Sequence, residues 1–587
     1  MILDRIESPN DLKELNISEL NELKKEIRKL ILTKVSKVGG HLGSNLGSVE
    51  LEMALHYVFN SPKDKIVFDV SHQSYTHKIL TGRKEAFLDK KAYDDVTGFT
   101  SKKESPHDMF TVGHTSTSIS LAYGLAKARD IKGTKENIIA FIGDGSMSGG
   151  EAFEGLNNAG TLKSNFIVIF NDNQMSIAKN SGSLYQNLEE LRNTKGKAKN
   201  NFFKSLGFDY KYIAKGNDIK VLIDALNEVK DINHPIVLHV NTIKGLGYKK
   251  AVEEKAQYHS RLPFNLKTGE STLVAKPSYS GLIRDYLIKN LETHKDLALL
   301  SAAAPFFYGS EEVVNKYKDR ILDLGIAEES LFSVSSGLSH EGFRPVVSIF
   351  SCFIGRAIDQ LLIDASLNAE NTLILIHGGT FSEDTKGSTK SATHHGIYDS
   401  ALISNIPGLL YIHPTNEKEL FKIMDDYING RLNGLIALRV PTVRVETVNE
   451  TLSKNYLDIK SKVINKGSKV ALMGLGNFYF KAEEVYYALE KLGIKATLIN
   501  PLFSNVLDTE LLESLKEDHS LVVTFEDEIL DGGFGEKIAR FYSTSNTKVK
   551  NYGFKKDFYD YVSIEEVLKD NNLTLKQIVK DIKQILK

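Results

Sequence analysis

NIIAFIGDGSMSGGEAFEGLNNAGTLKSNFIVIFNDNQM, residues Asn137 to Met175, decides the fold class. The apolar run Asn137–Ile142 reads as a strand and GDGSMSGG as a Gly-rich turn. A helix follows from about Gly150, and Asn165–Phe170 reads as a second strand. Two neighbouring parallel strands need a crossover of this βαβ kind. Asp144 then closes the first strand and Asn173 the second. In an open parallel sheet those carboxyl ends line the crevice where ligands bind. One carboxylate and one amide oxygen facing the same point, beside Gly-rich backbone amides, describe a Mg²⁺ site that keeps substrate phosphates as partners. GDG alone is an ordinary turn; with NDNQM at the matching strand end it points to a metal.

The bulk of the chain sets the frame. Its 587 residues leave room for about three to four domains. A hydrophobic content of 41% and 25% charged residues are those of a soluble globular protein. A formal net charge of −1 offers no field to nucleic acid or an anionic membrane. No apolar run reaches the roughly 18 residues of a membrane helix, and MILDRIESPNDLKEL lacks the apolar segment of a secretory signal. The single cysteine, Cys352, can form no intrachain disulfide, so a reducing cytoplasm is expected. SIFSCFIG reads as a buried strand holding a small apolar thiol, not a nucleophile.

Residues Asp11–Val38 carry helical periodicity and lead into GGHLGSNLGSVELEMALHYVF, a Gly/Ser turn opening a helix from about Ser48. His41 lies in that turn, beside backbone amides free to meet an anion. IVFDVSHQSYTHKILTGR reads as a strand ending at Asp69–Val70 and a loop carrying His72. In TVGHTSTSISLAYGLAKARD, His114 precedes a helix of small residues. A lone histidine is most often a hydrogen-bonded structural residue. Three in strand-to-helix turns ahead of the metal motif favour one shared crevice. The Lys/Asn-rich stretch from Ile177 to Asn217 reads as a mobile cover loop. After the strand PIVLHVNTIK, a linker runs from about Leu262 to Pro277.

GDG with NDNQM resembles the diphosphate–metal motif of thiamine diphosphate enzymes, and GGHLGSNLGSVEL resembles the transketolase superfamily. DVSHQSYTHKILTGR and VGHTSTSIS are narrower and resemble the 1-deoxy-D-xylulose-5-phosphate synthase family. The resemblance implies a transketolase-like α/β chain with three mostly parallel sheets flanked by helices. Residues 1–265 would bind diphosphate and metal, 278–448 the pyrimidine, and 460–587 would form a C-terminal domain supporting assembly. It implies thiamine diphosphate and Mg²⁺ as cofactors, with the metal held by Asp144, Asn173 and the main chain of Met175. Gly113, His114, Thr115, Ser116, Gly145 and Ser146 would line the diphosphate. His41 and His72 would contact substrate or the reacting cofactor, and Lys244 (TIKGLGY) and His259 (QYHSRLPF) match further active-site positions.

In the second domain, Glu328 opens a helix, where a carboxylate is ordinary. Its resemblance to the family's IAEQH segment implies more: a Glu that hydrogen-bonds the pyrimidine ring and so prepares removal of the thiazolium C2 proton. Phe353 matches the aromatic packed on the pyrimidine, and His394 in ATHHG matches a substrate-contacting histidine. Arg356 and Arg439 match phosphate-binding arginines, a task suited to a planar two-pronged donor. In KVALMGLGNFYF, Gly474 and Gly476 suggest a dinucleotide loop, but Tyr479 stands where the third Gly belongs.

The match is uneven. Phe350 stands where the family has Tyr, Gly378–Gly379 replaces an Asp-Arg pair, and Glu329–Ser330 replaces Gln-His. Val440–Pro441–Thr442 replaces Tyr-Pro-Arg, and SEDTKGSTKSA (Ser382–Ala392) replaces a shorter loop. Losing a donor to a substrate oxygen can change selectivity by orders of magnitude. Three readings follow. The first is a carboligase joining a 2-oxo acid (pyruvate) to an aldose phosphate (glyceraldehyde 3-phosphate), or a variant with another donor or acceptor. The second is a transketolase-like two-carbon transfer from a ketose. The third is a cofactor-binding protein without catalysis, against which Glu328 argues. The resemblance also implies a homodimer acting on small molecules, with no nucleic acid and no membrane as partner.

Overall fold

The computed structural model describes every residue except 177–179, 181, 274–278, 305–309, 369, 382–390 and 443–451, together with the side chain at 311. The chain forms two compact units. One holds Met1–Ala275 with Gly325–Ala327, the other Lys276–Leu324 with Glu328–Lys587.

The first unit is built on a five-stranded sheet. Its order is Lys65–Phe68, Ile138–Gly143, Phe166–Asp172, Pro235–Asn241, Asp209–Ile213, with every pair parallel. Side chains alternate across the sheet, as the period of two requires. Ile139, Phe141, Ile167 and Ile169 join one core with the helices Ile17–Val38, Gly43–Val58 and Ile219–Val229. Ile138, Ala140, Val168 and Phe170 join the opposite core with Ser118–Lys132 and Gly150–Ala159. Both faces are covered, which is why these strands are continuous apolar runs.

The second unit carries two sheets. The six-stranded one runs Leu409–Ile412, Gly434–Arg439, Asn371–His377, Arg344–Phe350, Leu297–Ser301, Ile321–Asp323, all parallel. The five-stranded one runs Lys462–Asn465, Thr497–Asn500, Lys469–Gly474, His519–Ile529, Lys548–Phe554, and only its first pair is antiparallel. The sheets are stitched where the His413 amide donates to the Leu502 carbonyl at 2.7 Å and the Ser504 amide to that of Tyr411 at 3.2 Å.

Three expectations change. The helix expected from Ser48 begins at Gly43. The strand expected to hold Cys352 ends at Phe350, and Cys352 lies in the 3-10 helix Ser351–Ala357. Burial still pushes its thiol up to about 12, so it is no nucleophile. The expected cover loop folds into Ser183–Asn193, Phe202–Ser205 and the strand Asp209–Ile213, because Leu188, Leu191 and Phe203 are buried. Its residues 177–179 and 181 lie outside the described residues, as do 382–390 of the substituted loop and 274–277 of the linker. In GLGNF, the Gly474 position is closed by the chain itself: a Cβ there would stand 2.6 Å from the Tyr479 Cα. Among the described residues no helix is long and apolar enough to cross a membrane.

Candidate active site

Strand register brings Asp144 and Asn173, the expected metal pair, to neighbouring positions. Gly143 pairs with Asn171 across the sheet, and the Asp144 amide donates to the Asn171 carbonyl at 3.2 Å. Asp144 and Asn173 therefore leave adjacent strand ends, both buried. Between them in sequence, Asp172 is held by Arg192 Nη1 at 2.6 Å and by His239 Nε2 at 2.7 Å. The Gln174 amide donates to Asp172 Oδ1 at 3.0 Å, and Gln174 adopts a left-handed φ of +66°. This tight turn sets Asn173 and Met175.

The residues present fit a cation. Among the described residues, none donates a hydrogen bond to the buried Asn173 Oδ1. Burial, and then the charge of Asp172, push the Asp144 carboxyl up to about 7, while Asn180 Nδ2 donates to its Oδ2 at 2.6 Å. A buried carboxylate and an orphaned amide oxygen are hard ligands lacking a positive charge. Among the described residues no three His, Cys, Asp or Glu side chains converge on a metal position. The cation would rest on Asp144, the Asn173 amide oxygen and a main-chain carbonyl such as that of Met175. Lys244 Nζ donates to the Ser176 carbonyl at 2.6 Å and lies 3.1 Å from His259 Nδ1. Burial lowers its ammonium to about 8, against the opposing pull of Asp144.

The turn carrying Gly113, His114, Thr115 and Ser116 is tied down by Asp69. Its carboxylate accepts the Ser116 amide at 2.8 Å and the Ser118 amide at 3.0 Å. Ser116 has φ +76°, and its Oγ donates to the Ser146 carbonyl at 2.9 Å. This sets the loop against the 3-10 helix Gly145–Ser148. A Cβ at Gly149 would fall 2.1 Å from Ser116 Oγ, so glycine is required there.

The histidines converge through a small pairing absent from the sequence reading. Gly40–His41 pairs antiparallel with Ser260–Arg261, bringing His41 beside His259. Ring centroids are 5.0 Å apart for His41–His72, 5.5 Å for His41–His259 and 5.3 Å for His72–His259. Phe99 packs edge-on to His41 at 5.7 Å, and Ser44 Oγ lies 3.1 Å from His72 Nε2. Burial first, then the Lys244 charge and the other imidazoles, hold His259 well below its ordinary range and neutral. Phe99, Ser44 and Asn45, and the loop-tying role of Asp69, carry no motif of their own in the sequence; the SN of HLGSNLG is the nearest signal.

In the second unit, Glu328 is the first residue of the helix Glu328–His340 and is buried. Its Oε2 takes no hydrogen bond and lies 3.6 Å from Arg356 Nη1. Burial raises its carboxyl above the ordinary range, and Arg356 opposes the rise. An oxygen so placed fits a ring-nitrogen partner. Phe353 lies 5.9 Å from His394 and 6.0 Å from Phe350. Arg439, expected at a substrate phosphate, has its guanidinium buried among acidic side chains. Its Nε lies 3.0 Å from both Asp399 Oδ2 and Glu528 Oε1, its Nη1 meets Asp527, and its Nη2 donates to the Gly396 carbonyl at 2.8 Å. A Cβ at Gly379 would lie 2.5 Å from its Nε, so that glycine makes room for the guanidinium.

Residues 3–201 and 192–242 match the family described as 1-deoxy-D-xylulose-5-phosphate synthase. Residues 275–446 match the transketolase pyrimidine binding domain, and 460–578 the transketolase C-terminal domain. A 1-deoxy-D-xylulose-5-phosphate synthase of Carboxydothermus hydrogenoformans is 36% identical over 100% of this chain and 99% of its own. One of Halothermothrix orenii is 37% identical over 95% and 93%. The solved transketolase of Campylobacter jejuni aligns over 97% of this chain and 100% of its own, at 17% identity and a TM-score of 0.43. By its identity to relatives over their whole length, the chain belongs to the 1-deoxy-D-xylulose-5-phosphate synthase family, thiamine diphosphate-dependent transferases of the transketolase superfamily that work with Mg²⁺.

Proposed function

We propose that this protein joins a 2-oxo acid, pyruvate, to an aldose phosphate, glyceraldehyde 3-phosphate, with loss of CO₂. The observation that carries the reading is the buried Asp144–Asn173 pair with its orphaned amide oxygen. When bound, thiamine diphosphate supplies the carbon nucleophile and the electron sink for decarboxylation. Asp144, Asn173 and the Met175 main chain hold the cation. The backbone of Gly113–Ser116 and Gly145–Ser146 meets the diphosphate, helped by the fixed positive ends of neighbouring amides. Glu328 would hold the pyrimidine through its buried carboxyl, and Phe353 would pack on the ring. On the first unit His41 and His72 contact substrate oxygens and move protons there, and His259 contacts substrate with Lys244 beside it; on the second unit His394 serves as a further proton-moving contact and Arg356 as the acceptor-phosphate donor. The exposed apolar side chains of Leu362, Ile363 and Leu367 support a homodimer, and one unpaired cysteine supports a cytoplasmic setting.

The test is direct. Purified protein with thiamine diphosphate, Mg²⁺, pyruvate and glyceraldehyde 3-phosphate should release CO₂ and form a ketose phosphate in equal amounts. Glu328→Gln should lower turnover at least about 100-fold. The engagement of Arg439 by Asp399, Asp527 and Glu528 leaves room for a second reading, two-carbon transfer from a ketose. Product from a ketose donor without CO₂ would establish it, and a cofactor-loaded protein idle with both donors would reject both.

A further inference from the structure

Asn45 lies in the first turn of the helix Gly43–Val58 and is wholly buried. Its Nδ2 donates twice, to the His41 carbonyl at 2.8 Å and to the His72 carbonyl at 2.7 Å. Its Oδ1 accepts the Tyr75 amide at 2.9 Å. The first bond spans 4 positions of chain, the others 27 and 30. One side chain therefore joins two turns that are remote in sequence.

The chemistry of the amide explains the choice. A carboxamide on a short stem offers two donors and an acceptor in one plane. A carboxylate of the same size has no donor, and a hydroxyl has one. His41 is also fixed by its pairing opposite Ser260. His72 has no strand beneath it: Val70 and Ser71 turn the chain at φ +55° and +67°, outside the sheet. Its backbone is registered against His41 by Asn45, and the two imidazoles meet edge to face at 69°.

We propose that Asn45 is a positioning residue for the reaction: by holding the carbonyls of His41 and His72 it sets the spacing and tilt of their imidazoles, and it touches no substrate itself. The inference rests on the reading of those imidazoles as substrate-facing.

Asn45→Asp keeps the volume, removes both donors and sets an oxygen against two carbonyls. Asn45→Ala removes the amide without adding charge, so it carries the test should the Asp variant fail to fold. Asn45→Ser restores one donor. Expected for the folded Asp and Ala proteins are thiamine diphosphate and Mg²⁺ uptake within about threefold of the parent, a KM little changed, and kcat lower by about 100-fold, the loss that a misplacement of about 1 Å produces. The pH profile of kcat/KM and the ring signals of ¹⁵N-labelled histidine should shift, and Asn45→Ser should recover part of kcat. A purely structural role would move neither the profile nor the ring signals once the protein is folded and loaded. His41→Ala and His72→Ala separate the two levels. If they abolish turnover while folded Asn45 variants keep kcat and pH profile, the positioning role is overturned and the site stands. If activity falls only in step with folded or cofactor-loaded protein, the positioning role is likewise overturned. If both histidine variants turn over normally, the reading of the site falls, and this inference with it.

Discussion

A buried amide oxygen without a donor costs on the order of 1–3 kcal/mol, and Asn173 carries one beside a buried carboxylate. Neither group earns its place through packing, so both should be removable at small cost to the cofactor-free fold and large cost to binding. Asp144→Ala should leave the melting of the cofactor-free protein within about 1 kcal/mol and weaken Mg²⁺-dependent uptake of thiamine diphosphate at least about 100-fold, a loss beyond that of an outer-shell partner. Titration calorimetry with and without Mg²⁺ checks both halves. The placement of Asp144 and Asn173 was legible because each follows its strand, and the two strands bracket one crossover. Arg439 was not: its partners Asp399 and Asp527 lie 40 and 88 positions away, and no local pattern announces them.

The helix Gly43–Val58 shows what a single element contributes and what its sequence conceals. It buries polar Asn45, Ser48, Glu50, Glu52 and His56 along with its apolar residues, so it has no solvent face for periodicity to reveal. Its start was misplaced for the same reason, since the Gly/Ser turn is already helical. Glu52 accepts Ser48 Oγ and the His77 amide at 2.8 Å, and His77 continues to His56 at 2.9 Å and to Asp108 at 2.8 Å. Arg83 closes the network with two bonds to Asp108, at 2.8 and 2.9 Å. Burial pushes the Glu52 carboxyl up from its ordinary 4.5 to about 8, and its hydrogen bonds only partly oppose the rise. Between those values the folded chain keeps a proton that the unfolded chain has released. This group's effect on stability therefore worsens as pH rises from 4.5 to about 8 and levels off above. Glu52→Gln mimics the neutral acid. It should melt higher than the parent at pH 8, the gap closing toward pH 4.5, in paired thermal scans across that range. An equal gap at both ends would place the charge on Glu52 in the fold.

At the scale of the whole chain, alternating apolar strands and helices made an α/β architecture legible, because strands covered on both faces must be apolar throughout. What hydropathy cannot express is which layers fold together. The residues expected as second and third domains lie in one compact unit. The reasons are contacts between distant stretches: the backbone bonds His413–Leu502 and Ser504–Tyr411, and the Arg439 cluster. Arg439 ends a strand of the six-stranded sheet, while Asp527 and Glu528 sit on the strand His519–Ile529 of the other. Asp399 opens the short helix Asp399–Ile403 and also takes the Tyr411 hydroxyl. One guanidinium thus bridges acidic side chains from both layers, and burial, which Arg439 opposes, holds the Glu528 carboxyl well above its ordinary range. Removing one partner of a buried ion cluster strands the others, at about 3–5 kcal/mol. Arg439→Leu should lower the stability of the second unit by that amount, read as an earlier chemical denaturation midpoint, and leave metal uptake at Asp144 intact. Adding Asp527→Asn to Arg439→Leu should recover part of the loss, because a carboxylate stranded without the guanidinium is what costs. If the single variant unfolds no earlier than the parent, the two layers are held by packing and backbone bonds alone. If instead it stays stable and loses only turnover with a phosphorylated acceptor, the guanidinium serves the substrate after all.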